Sequence, residues 1–417
     1  MRILPHIHKI GLVFLLALAV VLPSVARMGE AAAAEPDIQA EAAILIDADT
    51  GRVLWSKNGE ERHYPASMTK MMTCLLGIQL MPPDAKVTIS QAAASTEDLP
   101  LHIARGDVLT AEELMRGMMM VSDNGAAVAI AEHIDGSAAV FAERMNEKAQ
   151  EIGMRDTHFA NPNGLTDPNH YSTPHDMARL AQYAMKNPVF RDFVRQKERR
   201  VTWIAPSGKS LLAKNTNELL GRYEGMTGIK TGWTSAAGGC LAASAERQGV
   251  HLIAVLMKAP DETTRFSDMR KILDYGFASV TLVKGPTIKE ASRHVWVKDG
   301  TAARTVVRPP TRNENPRMPG AEARPVKGTY DVPAGISAPD IEYPLLPGEE
   351  ASHVKVTYDV PAVISAPVAS GQVVGRAILT YDGEEIGRVD MVADDVPEGF
   401  SLGSWLVGLF ERPLSWL

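Results

Sequence analysis

An α+β fold is predicted for this chain: an antiparallel sheet with helices packed on it, then a small all-β domain and a C-terminal amphipathic helix. Three observations predict it. Two short apolar runs, 42–47 and 52–55, flank Asp49-Thr50-Gly51 and read as an N-terminal β-hairpin. Apolar runs 228–232, 239–245 and 250–257 read as strands, and helical periodicity fills the interval before them. From residue 280 the composition turns to β-branched residues, glycine and proline.

The hairpin leads into Tyr64-Pro65-Ala66-Ser67-Met68-Thr69-Lys70. Pro65 suits the first turn of a helix, where its missing N–H is no loss. Met68, Met72, Leu75 and Leu76 then repeat at the spacing of one buried helical stripe. On such a helix Ser67 lies in the first turn and Lys70 one turn later, on the same face. Residues 87–109 read as irregular, with short strand-like pieces and a turn at Gly106-Asp107. Two apolar helices, 111–120 and 126–134, are separated by Ser122-Asp123-Asn124-Gly125, residues suited to a cap and turn. Further helices are expected at 138–152, 175–186 and 268–277, with a strong turn at Asn161-Pro162-Asn163-Gly164.

Beyond 280 the stretch 326–339 nearly repeats as 354–367, with Gly328 and Gly335 replaced by Val356 and Val363. Glycine weakens strands, so the second copy is expected in the sheet and the first as a looser duplicate. Residues 373–381 and 385–393 form a hairpin around Asp382-Gly383. The last stretch, 401–417, places Leu402, Trp405, Leu406, Leu409 and Phe410 on one helical stripe, the pattern of a helix lying in a membrane interface.

Composition excludes several functions. The 417 residues suffice for two or three domains, and their net charge of −7, with no basic tract, does not suit nucleic acid. Arg2 and Lys9 precede an apolar core at 10–22 and small residues near Ala26 and Ala34, the pattern of a secretory signal peptide. The expected division is a signal peptide at 1–34, a catalytic domain at 35–279, a β-rich domain at 280–397 with a Pro-rich insertion near 305–350, and an amphipathic anchor at 398–417. Cys74 and Cys240 are the two cysteines, either free and buried or joined in one disulfide. The 11 histidines show no His-Glu-x-x-His or comparable spacing, so no metal and no cofactor are expected.

Three polar interruptions carry the chemistry: Ser67-Met68-Thr69-Lys70, Ser122-Asp123-Asn124 and Lys230-Thr231-Gly232. Alone, each is weak; in this order they form the S-x-x-K, S-D-N, K-T-G signature of serine acyl-transferring enzymes that react with β-lactams. Acyl transfer needs a nucleophile, a base, an oxyanion hole and a clamp for substrate charge. Ser67 supplies the hydroxyl. Lys70 serves as base if burial and the nearby cation Lys230 lower its pKa. Ser122 relays a proton to the leaving amine, and Asn124 holds the substrate amide. Lys230 and Thr231 suit a terminal carboxylate, and Gly232 lets a ligand backbone lie against the strand edge.

With these motifs, Asp47 to Gly51, Phe159 to Leu165 and Asn215-Thr216-Asn217, nearly all of the chain after the signal resembles the low-molecular-mass penicillin-binding proteins, specifically the serine-type D-alanyl-D-alanine carboxypeptidases. The resemblance implies a β-lactamase/transpeptidase-like fold and an oxyanion hole from the backbone N–H groups of Ser67 and Trp233. It also implies removal of the terminal D-alanine from peptidoglycan stem peptides, acylation by β-lactam antibiotics, and a membrane-surface location outside the cytoplasm. A β-lactamase of class A uses a glutamate for deacylation; the segment 161–175 holds Asp167 but no Glu, which weighs against that reading. An endopeptidase would carry identical motifs, and a non-catalytic wall-binding protein would not need them. Lys70 is the expected activator of the hydrolytic water.

Overall fold

Apolar alternation along the central strands requires cover on both faces of the sheet, and the computed structural model shows how the chain supplies it. The structure describes residues 33–284, 288–309, 342–397 and 399. In order, the first part runs β1 (Ala42–Asp47), β2 (Val53–Lys57), a 3-10 turn (Ala66–Thr69), α1 (Lys70–Leu80), β3 (Lys86–Thr88), α2 (Gln91–Ala94), β4 (Val108–Thr110), α3 (Ala111–Val121) and α4 (Asn124–Asp135). It continues through α5 (Ala138–Glu151), α6 (Pro174–Met185), α7 (Pro188–Arg195), β5 (Glu198–Thr202), β6 (Ser210–Lys214), β7 (Met226–Thr234), β8 (Gly238–Arg247), β9 (Val250–Ala259) and α8 (Thr264–Ser279).

The main sheet is antiparallel, in the order β2-β1-β9-β8-β7. Because side chains alternate across a strand, Ile44, Ile46, Ile253 and Val255 join the larger core with α1 and α3 to α7. Their neighbours Ala43, Leu45, Leu252 and Ala254 join a second core under Met269, Ile272 and Leu273 of α8. The α+β expectation is therefore met, with helices on both faces. Strand β7 lies at the sheet's edge.

The second part contains β10 (Thr281–Lys284), a short helix α9 (Ile288–Ala291), β11 (Arg293–Lys298), β12 (Arg304–Arg308), β13 (Glu342–Leu345), β14 (Val354–Asp359), β15 (Val363–Ser365), β16 (Gln372–Tyr381) and β17 (Glu384–Ala393). Six of these strands form one sheet, β14-β16-β17-β12-β11-β15, with β11 and β15 parallel. The second repeat copy enters this sheet as β14 and β15, as its valines require, and β16–β17 is the expected hairpin. The β-rich part is tied to the turn after β1. Buried Arg52 bonds Glu349 and the Pro344 carbonyl, both at 2.5 Å, and Arg388 N donates to Thr50 O at 3.1 Å.

The signal segment, the first repeat copy, most of the Pro-rich stretch and the amphipathic tail lie outside the described residues. Two local expectations are corrected. Ser67 sits in a 3-10 turn ahead of α1 rather than within an α-helix, with Ala66 at φ +47. Segment 187–218, where no element was expected, holds α7 and the β5–β6 hairpin. Both cysteines are free and buried.

Candidate active site

Ser67 and Lys70 are brought together by the change from a 3-10 turn to α1. The turn leaves the serine hydroxyl half-exposed, while the helix carries Lys70 into the core with no exposed surface. Lys70 Nζ donates to Ser67 Oγ at 2.8 Å, Asn124 Oδ1 at 2.6 Å and Asn163 O at 2.7 Å. Three acceptors match the three N–H bonds of an ammonium. Burial nevertheless takes its pKa down to about 7, against the pull of Asp123 and Asp98. Both protonation states are therefore accessible near neutral pH.

The break between α3 and α4 has a purpose beyond a turn. Ser122 closes α3 in the left-handed region at φ +67, and Asp123 caps α4 by accepting from Ala126 N at 2.8 Å. Asp123 also accepts from Leu101 N at 2.9 Å. The capped start of α4 aims Asn124 at Lys70, and its amide nitrogen is held by Glu97 O at 3.0 Å.

Lys230 reaches this break from β7. Its Nζ donates to Ser122 Oγ and Thr231 O, both at 2.9 Å, and it is fully buried. Burial first, then Lys70 and Arg265, hold its pKa well below the ordinary lysine value. Burial is the first cause of the lowering of Lys70, as expected, and the lysine–lysine repulsion adds to the lowering of the pair. Thr231 is buried and its hydroxyl lies 2.6 Å from that of Thr216.

Gly232 brings β7 against the serine turn. A Cβ there would lie 3.0 Å from Pro65 O and 3.1 Å from Ser67 N. Trp233 follows with an exposed side chain, 41% accessible. The structure thus unites Ser67, Lys70 and Asn124 in one hydrogen-bonded group, Ser122, Lys230 and Thr231 in a second, and sets Gly232 beside the serine.

Four contributors were missed from the sequence. The Asn163 carbonyl is the third acceptor of Lys70. Arg265 of α8 donates to Gly232 O at 3.0 Å and adds a buried cation. Thr216 backs Thr231. His170 lies 2.7 Å from Thr69 Oγ1 through Nε2 and accepts from Ala160 N at 3.1 Å through Nδ1. Burial holds its pKa down to about 4, so the ring is neutral and donates from Nε2.

The loop that carries Asn163 is pressed onto the turn that holds Ser67. Gly164 has φ +89, and a Cβ on it would fall 1.9 Å from Ala66 O. Both the dihedral and the contact require glycine. Gly164→Ala is expected to lower stability by about 2–4 kcal/mol and to slow acylation through the displaced Asn163 carbonyl. Denaturant unfolding and acylation rates measured on one preparation check this.

Comparison with known proteins follows from this geometry. Residues 29–261 match the D-alanyl-D-alanine carboxypeptidase family, and residues 323–398 match the penicillin-binding protein 5 C-terminal domain. The chain is 30% identical over 398 residues to D-alanyl-D-alanine carboxypeptidase DacA of Haemophilus influenzae, covering 90% of this chain and 91% of that protein. It is 37% identical over 252 residues to D-alanyl-D-alanine carboxypeptidase DacF of Bacillus subtilis, 58% of this chain and 62% of that one. Among solved structures, penicillin binding protein 5 from Haemophilus influenzae superposes with a TM-score of 0.61 at 29% identity, covering 88% of this chain and 99% of that one. The Streptomyces K15 DD-transpeptidase superposes with a TM-score of 0.56 at 33% identity, covering 59% of this chain and 99% of that one.

Proposed function

The chain belongs to the D-alanyl-D-alanine carboxypeptidase family, and from that premise we propose how its own residues remove a terminal D-alanine from peptidoglycan stem peptides. It is a serine hydrolase of the low-molecular-mass penicillin-binding type. The observation that carries the assignment of roles is the 2.8 Å bond between Ser67 and a buried Lys70 whose pKa is about 7.

The substrate lies along the open edge of β7, its terminal carboxylate at Lys230 and Thr231. Neutral Lys70 takes the Ser67 proton as Oγ attacks the penultimate carbonyl carbon. The oxyanion is received by the N–H groups of Ser67 and Trp233. Asn124 holds the upstream amide. Collapse breaks the C–N bond: Ser122 gives its proton to the departing D-alanine amine and takes one back from the Lys70 ammonium, which returns to the neutral amine, and an ester remains on Ser67. Water, deprotonated by Lys70, then cleaves the ester and restores the serine. A β-lactam enters by the same first step: Ser67 Oγ attacks the lactam carbonyl, the lactam C–N bond opens, and Ser67 is left acylated, which makes such antibiotics inhibitors. Turnover of a pentapeptide ending in D-alanyl-D-alanine, with product masses measured, tests this: the reading requires free D-alanine and a tetrapeptide, and an intact peptide refutes it.

The remaining assignments rest on sequence pattern. Residues 1–34 are a signal peptide that takes the chain across the cytoplasmic membrane; 35–279 form the catalytic domain and 280–397 the β-rich one. The pattern of residues 398–417 is that of an amphipathic helix, which would hold the enzyme at the outer face of the cytoplasmic membrane. No helix among the described residues is long and apolar enough to span a bilayer. The proposed attachment rests on the stripe of Leu402, Trp405, Leu409 and Phe410. Deleting 401–417 is expected to move the protein from the membrane pellet to the supernatant; continued sedimentation refutes the anchor.

A further inference from the structure

Outside the active site, the outer face of the six-stranded sheet carries an exposed aromatic–basic row. Trp296 of β11 stands opposite Arg304 of β12 and Val363 of β15, and directly paired residues share a face. Their alternate neighbours Val295, Val297 and Val307 point the other way, into the core of the β-rich part. Trp296 is 51% accessible and Val363 54%. Arg304 Cζ lies 3.9 Å from the centre of the Trp296 ring. Lys298 ends β11 on the same face, about 7 Å from Trp296 at roughly 3.3 Å per residue.

Charge on this face is one-sided. Strands β11, β12 and β15 hold no carboxylate, in a chain whose net charge is −7. Arg293 is turned onto the Tyr358 ring at 3.8 Å, and Arg308 is paired with Asp394 at 3.2 Å. That leaves Arg304, with no carboxylate partner among the described residues, and Lys298, whose acidic neighbour is the exposed Asp299 at 4.0 Å. Such a solvated pair holds its partners weakly. A second copy of the chain meeting this face about a two-fold axis would bring the cations together. An anionic surface would not.

The path of the chain selects which anionic surface. Thr301 N donates to Pro397 O at 3.0 Å, and Gly399 N donates to Asp299 O at 2.8 Å. Residues 400–417 therefore leave from the β11–β12 turn, directly beyond Lys298, and they hold the stripe assigned to a membrane interface. A tail held in that layer holds this turn beside it. The turn's exposed residues Thr301, Ala302 and Ala303 are small and uncharged. An indole suits the headgroup layer, with an apolar body and a polar N–H, and the flanking cations meet lipid phosphates. We propose that the face of Trp296, Arg304 and Lys298 is a second membrane contact, one that takes anionic phospholipid headgroups and gives the β-rich part a two-point attachment. The assignment extends the anchor reading of residues 398–417 and is tested apart from it.

The test floats the mature chain, residues 35–417, with phosphatidylcholine vesicles that contain or lack phosphatidylglycerol. At low salt the wild type should bind the anionic vesicles about tenfold more tightly, the effect of two cations near a charged surface. Lys298→Gln combined with Arg304→Gln should remove most of that preference. Trp296→Ala should weaken binding to both compositions by about fivefold, the share of an indole half withdrawn from water. Release of D-alanine from a soluble peptide should be the same in all three proteins, since the face is remote from Ser67 in sequence and touches none of the catalytic residues. Unchanged partitioning of both variants overturns the contact. Tighter binding by Trp296→Ala also overturns it, because that result places the tail, not lipid, on this face. Deleting 401–417 tests the anchor separately: partitioning equal to wild type refutes the anchor alone, and residual binding to anionic vesicles that Trp296→Ala abolishes supports the face.

Discussion

Ser67→Ala is expected to reduce D-alanine release and penicillin acylation by on the order of 10⁴-fold or more, with the fold intact. In the proposed mechanism the hydroxyl is the group that becomes esterified, and among the described residues no other hydroxyl is bonded to Lys70, Ser122 being bonded to Lys230. Structurally the change is small. Ser67 is half-exposed and its hydroxyl's bond is the one from Lys70. Lys70 keeps Asn124 and Asn163 as acceptors. Leaving one N–H of buried Lys70 without this acceptor costs about 1–3 kcal/mol. Intact mass after incubation with penicillin should show no adduct, while the thermal midpoint stays within a few degrees of wild type. An adduct on the variant would place the nucleophile elsewhere. A collapse in stability would mean that the hydroxyl holds the 3-10 turn, and the activity loss would then say nothing about chemistry.

The catalytic constellation was legible because its members are unusual residues for where they stand. A lysine on an apolar stripe, a Ser-Asp-Asn break between two apolar helices, and a lysine in a strand each contradict the local pattern. Their convergence follows from topology: β7 at the sheet edge lies against the serine turn through Gly232, and the α3–α4 break faces both lysines. What stayed hidden has no residue-type signature. Asn163 contributes a backbone carbonyl, which any residue carries. Arg265 reads as one more helix cation, and its role depends on Gly232 O being 3.0 Å away, across 33 positions of sequence.

The missed elements have a similar cause. Strands β5 and β6 bury one residue each: Val201 stands between Arg200 and Thr202, and Ala213 follows Leu211 and Leu212, which are not buried, so no alternating apolar period marks either strand. The 3-10 turn at Ser67 was read as α because i, i+4 spacing of Met68 and Met72 cannot distinguish the two over one turn. Electrostatics was legible in direction only. That Lys70 is depressed follows from an apolar stripe, but that burial outweighs the pull of Asp123 and Asp98 depends on how deeply the ammonium sits, which no sequence pattern measures.

Acylation should rise with pH through about 7 and then level, because the reactive form of Lys70 is the neutral amine. With its pKa at about 7, the amine fraction at pH 5 is about a hundredth of its plateau value, and the acylation rate should fall in proportion. The same shift has a stability consequence of definite sign. The folded-state pKa lies below the ordinary 10.5, so the unfolded chain binds more protons between about pH 7 and 10.5. The penalty for burying this ammonium is full below pH 7 and fades as pH rises across that window. Lys70→Arg separates charge from proton transfer. A guanidinium can still donate to Ser67, Asn124 and Asn163, but it does not deprotonate in this range. The variant should lose about 10³-fold in acylation, in line with removal of a positioned base, and its residual rate should be flat across pH 7. Stopped-flow acylation by a chromogenic cephalosporin from pH 5 to 9 reads both. A variant that keeps the wild-type inflection near 7 would assign the titrating base to another group, with Lys230 the first to test.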